Sequence, residues 1–205
     1  MSDTMRVNVA CAKCGCEDEV EVWVRVNNAE DPDAAQWLID GFLFEHECPS
    51  CGNVAALNHD CLYHDVGNEA MVLYVADPAK AEGALAALDC RKPAGYRVRL
   101  VATRDELREK AAILRDGLDD RAVEVAKAAV LNKFVGTGQV VKDARAYYGA
   151  IAEDGGIIVE FVASTGALQT TVPRDVYEGI ASSFTAVQPF VVDRTWAMNV
   201  LAQWE

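Results

Sequence analysis

Two copies of one short motif constrain this chain more than anything else in it: Cys11-Ala12-Lys13-Cys14-Gly15 and Cys48-Pro49-Ser50-Cys51-Gly52. Two residues between cysteines allow a tight turn that points both sulfurs at one ion, and the glycine that follows accepts a positive φ at little cost. Two such pairs supply four thiolates, the closed tetrahedral shell of a structural zinc site. Cys11, Cys14, Cys48 and Cys51 are therefore the expected ligands of one Zn2+. A closed shell leaves no position for water or substrate, so the metal is expected to hold the fold and not to catalyse. A redox CxxC of thioredoxin type occurs once, at a helix N-terminus in a βαβ unit, and neither pair has that setting.

The residues around the pairs read as strands. RVNVA leads into the first, and Val20, Val22, Val24 and Val26 of EVEVWVRV alternate along a half-buried strand that leaves it. Asp31 before Pro32 reads as an N-cap with proline at the first helical position, and Gly41 as the stop, so 32–40 form a short helix between the pairs. GFLFEHE runs as a strand into the second pair, NVAALNH leaves it, and MVLYVA at 71–76 is a further strand. Together these make a zinc ribbon with a helix inserted between its halves.

The chain is accordingly divided into a zinc-bearing part at 1–76, a linker or short helix at 77–95 and an α+β part at 96–205, which can pack as one unit with the first. In the last part YRVRLVA reads as a strand, and Thr103 with Glu106 forms a capping-box pattern opening a helix that stops near Gly117. Asp119 or Asp120 caps a second helix carrying Val123, Ala126, Val130 and Leu131 at helical spacing, so two amphipathic helices are expected. AYYGAIA, IIVEFVA and ALQTTV then form an antiparallel meander. Pro173 opens a helix through Phe184, and a final helix starts near Asp193. The expected fold class is α+β.

The stretches GFLFEHECPSCGNVAALNHDCLYHD, MVLYVAD and RLVATRDELREKAAILRDGLDDRAVEVAK resemble the CpXC family of bacterial proteins, named for its Cys-Pro-X-Cys motif. The resemblance spans roughly residues 6–130 and implies a zinc-bound domain in a bacterial cytoplasm. It supplies no reaction. The chain departs from the motif at Ala12, where the family pattern has proline, and proline only stiffens the turn.

Charge narrows the classes of partner. The chain carries 32 acidic residues against 19 basic ones, a net charge of −13. Within residues 1–65 only Arg6, Lys13 and Arg25 oppose thirteen Asp and Glu, and four thiolates on Zn2+ add two more negative charges. Counterion release cannot drive nucleic-acid binding through such a surface. The one basic stretch, Arg91 to Lys110 with Arg97, Arg99, Arg104 and Arg108, could gather an anion, but such charges more often pair with neighbours, here Asp105, Glu106 and Glu109. No apolar run reaches the roughly 18 residues of a membrane span, and the N-terminus lacks the basic and apolar regions of a signal peptide. The chain reads as cytoplasmic, where seven cysteines point to metal rather than disulfides.

The other candidates have ordinary explanations. Cys16 reads as a bystander thiol beside the shell, and Cys61 and Cys90 as small buried hydrophobes with no activating base nearby. His46, His59 and His64 gather near the second pair. His59-Asp60-Cys61 with Tyr63-His64-Asp65 is the cluster with catalytic potential, yet strand alternation places His59, Cys61 and Tyr63 on one face and Asp60, Leu62 and His64 on the other. No nucleophile–base set, phosphate-cradling loop or carboxylate dyad emerges, and no catalytic residue is assigned. The leading expectation is a non-enzymatic protein-interaction or adaptor module with another protein as partner. An enzyme or ligand-binding protein using 59–65 is the alternative, and nucleic-acid binding through 91–110 stands third. Oligomeric state is not encoded in any of these features.

Overall fold

The valine alternation of β2 (Glu17–Asn27) buries Val22 and Val26 against the core and leaves Glu17, Glu19 and Glu21 outside. This strand pairs antiparallel with β1 (Asp3–Ala10) and is the second of five in a sheet ordered β1-β2-β5-β6-β7. The computed structural model describes residues 1–138, 144–164, 166–185 and 188–204. Among them lie six α-helices and three sheets, an α+β fold as expected.

The five-stranded sheet is mixed. β5 (Cys61–Asp65) runs parallel to β2, β6 (Ala70–Tyr74) antiparallel to β5, and β7 (Arg97–Val101) parallel to β6. β6 is buried along its whole length, which suits an apolar run without alternation. Parallel neighbours need long crossovers. The one from β2 to β5 contains α1 (Pro32–Asp40) and a separate two-stranded hairpin of β3 (Glu45–Glu47) and β4 (Val54–Ala56). The one from β6 to β7 contains a 3₁₀ turn at Pro78–Lys80 and α2 (Ala81–Asp89). The segment read as linker or short helix at 77–95 is thus a crossover within one sheet. The chain parts into compact units at Met1–Ala111 and Ala112–Glu205, inside α3 (Arg104–Arg115).

Local signals set the helix ends. At α1, Pro32 and the left-handed Gly41 (φ 94°) act as read, but the Asp31 side chain makes no capping bond; its carbonyl accepts from Ala35 instead. At α3 the Glu106 N–H donates to Thr103 Oγ1 at 3.2 Å, while the Glu106 carboxylate reaches back to the Ala102 N–H at 2.8 Å. Asp119 caps α4 (Asp120–Gly136) by accepting from the Arg121 N–H at 2.9 Å.

In the second unit α4 departs from the amphipathic expectation. It is buried from Asp120 to Ala128, because the strands β8 (Arg145–Ile151) and β9 (Ile157–Ala163) and the helices α5 (Arg174–Ser182) and α6 (Arg194–Trp204) all pack on it. Its buried Glu124 and Lys127 pair at 3.0 Å, and Arg121 forks onto Asp119 beneath the Phe184 ring. β8, β9 and β10 (Gly166–Val172) form the expected antiparallel meander. Its second turn includes Thr165, which lies outside the described residues. No described helix is long and apolar enough to cross a membrane.

Candidate metal centre

Each cysteine pair closes the tip of an antiparallel hairpin, and the two tips are built alike. β1 and β2 pair as far as Ala10 and Glu17, after which the Cys11 N–H donates to the Cys16 carbonyl and the Gly15 N–H returns to the Cys11 carbonyl, both at 2.8 Å. On β3–β4 the Cys48 N–H donates to the Asn53 carbonyl and the Gly52 N–H to the Cys48 carbonyl, both at 2.9 Å. Gly15 (φ 73°) and Gly52 (φ 65°) occupy the left-handed region that a side chain would strain. Neither pair of closing bonds uses the N–H of residue 12 or 49, so alanine and proline serve equally there.

The tips bring four sulfurs together. Cys11 Sγ lies 3.7 Å from Cys51 Sγ, Cys14 Sγ lies 3.7 Å from Cys48 Sγ, and all four sulfurs fall within 4.8 Å of one another. A tetrahedron with metal–sulfur bonds of about 2.3 Å has edges of about 3.8 Å, so this is metal-binding distance. No second group of three or more Cys, His, Asp or Glu with this property occurs among the described residues.

Electrostatics fits a cation at the centre. Backbone N–H groups of Cys14 and then Lys13 draw the Cys11 thiol down to about 6, and those of Ser50 and Cys51 lower Cys48 in the same way. At Cys51 the Asn53 N–H also lowers, but burial and the three neighbouring sulfurs outweigh it and push the thiol up to about 12. Four adjacent thiols cannot all ionise unless a positive charge offsets them. Cys16 stands outside the four; burial and then charge on Cys48 and Cys14 raise it.

Several contacts hold the second hairpin; the sequence marks His46, His59 and Arg104 among the residues involved, but not the partners they meet. His46 on β3 reaches Asp18 on β2 at 3.5 Å, tying one hairpin to the other. At the root of β3–β4, Leu57 N–H donates to the Phe44 carbonyl at 2.7 Å, and the buried Phe44 ring packs on His59 at 4.8 Å and edge-on to Tyr74 at 6.2 Å. Arg104, from the first turn of α3, lies over Phe44 at 5.7 Å and donates to the Leu57 carbonyl at 2.7 Å. Nothing in the spacing of Phe44, Leu57 and Arg104 announces this clamp. Replacing Arg104 with methionine keeps much of the stem and leaves the Leu57 carbonyl without that donor; the expected cost is about 1–3 kcal/mol, read as a lower melting temperature and faster metal loss to a chelator.

Most of the basic stretch is engaged by the fold, while Arg91 and Arg108 stay exposed. Arg97 donates to the Asn68 carbonyl, the buried Arg99 to the Val98 carbonyl and Arg108 to the Ile39 carbonyl at 2.6 Å, while Lys92 pairs with Asp89. With Arg104 on Leu57, these arginines end on separate carbonyls rather than on one anion-binding point.

The 59–65 cluster is also built into the fold. His59 Nε2 lies 3.1 Å from the Trp23 carbonyl, Asp60 accepts from the Ala76 N–H at 2.8 Å, and His64 packs on Tyr96 at 5.4 Å. Cys61 is fully buried and its thiol is pushed up to about 12 by that burial, the opposite of an activated nucleophile. Asp65 accepts from the Asn68 N–H and side-chain amide. Cys90 is exposed, against the expectation of burial.

Burial lowers both His59 and His64, with Arg104 adding to the effect at His59 and the N-terminal amino group and Arg25 at His64. The unfolded chain therefore binds protons more readily than the folded one below about pH 6.5. Stability is expected to be insensitive to these groups above that value and to fall as pH drops below it. Denaturant unfolding from pH 7.5 to 5 should show a smaller acid slope for His59→Phe than for the parent chain, and equal slopes would contradict this reading.

A family model described as CpXC protein matches residues 9–127, more than half of the chain. The chain belongs to the CpXC family. The matched region of this CpXC protein contains both cysteine hairpin tips, the elements α1, β5, β6, α2, β7 and α3, and the start of α4. No curated protein and no solved structure matches it.

Proposed function

We propose that Cys11, Cys14, Cys48 and Cys51 bind one Zn2+ as four thiolates in a zinc-ribbon-like arrangement, and that this CpXC protein is a non-enzymatic protein-interaction module. The observation that carries the metal reading is the meeting of four sulfurs from two similarly built hairpin tips, two pairs at 3.7 Å and all four within 4.8 Å of one another. Zinc is favoured by the all-thiolate donor set and its tetrahedral spacing. A four-sulfur shell has no open position, which supports a structural role. The interaction reading is supported by the contacts of the rival residues: His59, Asp60 and His64 and most of the basic stretch meet neighbours within the fold. Thiols that must stay reduced suit a cytoplasmic location.

Metal content per chain, measured by mass spectrometry on protein purified without added zinc, tests the site together with thiol titration before and after chelation. One zinc per chain and four thiols released on chelation are expected. Metal-free protein with oxidised cysteine pairs would overturn the reading.

A further inference from the structure

Scattered apolar side chains on a surface are ordinary, but two of the largest here flank one helix stop. Trp37 is 49% and Phe42 60% exposed. α1 turns Ala34, Ala35 and Leu38 inward. Asp33, Trp37 and Asp40, spaced i, i+4 and i+7, therefore share its outer stripe, and all three are exposed. The N–H groups of Gly41, Phe42 and Leu43 all donate to the Trp37 carbonyl at 3.1, 2.9 and 3.2 Å, which fixes Phe42 beside the helix end. Exposed Glu45 and Glu47 follow on β3.

The charge beside these rings is mainly acidic: Asp33 and Asp40 share the stripe with Trp37, and Glu45, whose N–H donates to the Phe42 carbonyl at 3.0 Å, is exposed next to it. Residues 26–79 contain ten Asp and Glu and no Lys or Arg. Among the described residues Arg108 of α3 is the one cation here, exposed at the helix end with its Nε on the Ile39 carbonyl at 2.6 Å, and the carboxylates of Asp33, Asp40 and Glu45 outnumber it. Aromatic anchors are the side chains that most often dominate binding energy, and their ring faces attract cations. Acidic groups around them steer a positive partner in and repel nucleic acid, anionic lipid and a second copy of this chain, which carries a net charge of −13.

We propose that the outer face of α1 together with Phe42 is the docking surface for a cationic segment of another protein, its Lys or Arg residues facing Asp33, Asp40, Glu45 and Glu47 and its apolar or guanidinium groups stacking on Trp37 and Phe42. This rests on the interaction-module reading and names its surface and the chemistry of its partner.

The test uses the full zinc-loaded chain and a synthetic peptide of alternating arginine and leucine, with an alternating serine–leucine peptide as the uncharged comparison. The arginine peptide should bind, shift the Trp37 indole N–H resonance, and weaken steeply with added salt. Trp37→Ala with Phe42→Ala should reduce affinity about tenfold or more, and Asp33→Asn with Asp40→Asn should flatten the salt dependence, with zinc content and melting temperature unchanged in both. Binding that survives the aromatic substitutions, or equal binding of the uncharged peptide, would overturn this surface while leaving an interaction role elsewhere on the chain open. Concentration-dependent dimers abolished by Trp37→Ala would also overturn it, in favour of self-association. Loss of zinc from the parent chain would instead be a failure of the metal reading, recorded separately by metal analysis.

Discussion

Replacing Cys48 with serine is expected to remove the metal and disorder the β3–β4 hairpin, with a large fall in the melting temperature of the first unit. Cys48 is buried at the tip of a hairpin whose strands are three residues each, and β4 is exposed along its whole length. A two-stranded hairpin without a buried face is marginal in water. Beyond the Phe44–Leu57–Arg104 clamp and the His46–Asp18 contact, the sulfur cluster is what fastens this hairpin to β1–β2. Structural zinc in small finger peptides binds with an apparent free energy on the order of 10–16 kcal/mol, comparable to the whole stability of an ordinary domain at about 5–15 kcal/mol. Metal analysis and thermal unfolding of the parent, the variant and the chelated parent should agree. A Cys48→Ser chain that keeps its zinc and its melting temperature would show that the cluster is not the fastening.

Phe161→Ala should have the other large effect, and it should fall on the second unit alone. Phe161 is 1% exposed on the inner face of β9, beside buried Ile157 and Val159, and meets the Phe134 ring edge-on at 5.4 Å. Truncating a buried phenylalanine to alanine costs about 3–5 kcal/mol, since both the transferred area and the cavity left behind count against the fold. Calorimetry should show the transition of the second unit moved to markedly lower temperature, with zinc per chain unaltered. If zinc retention fell in parallel, the two units would not unfold as separate bodies.

Much of this protein was legible because its signals are local. Each CxxCG contains its own turn chemistry, so the four sulfurs could be assigned to one point before any strand was paired. Proline and glycine marked the ends of α1, Thr103 and Glu106 opened α3, and period-two valines marked β2, because each of these acts within a few residues. The meander was readable for the same reason, its strands being joined by short turns.

What the sequence alone did not determine depends on contacts between residues far apart in the chain. The parallel pairing of β2 with β5 and β6 with β7 has no local marker, and it carried the first unit's sheet past 77–95. Helical spacing in α4 marked one apolar face, whereas the packing of α5, α6 and two strands around it buried the charged residues as well. The roles of His59 and Arg104 were decided in the same way. As residue types they suggested a catalytic cluster and an anion site; the fold set His59 against Phe44 and Arg104 on a carbonyl 47 residues away in sequence. Composition and short-range periodicity report what a residue can do, while burial and hydrogen-bond partners, which arise only when distant segments meet, decide which of those capacities is used.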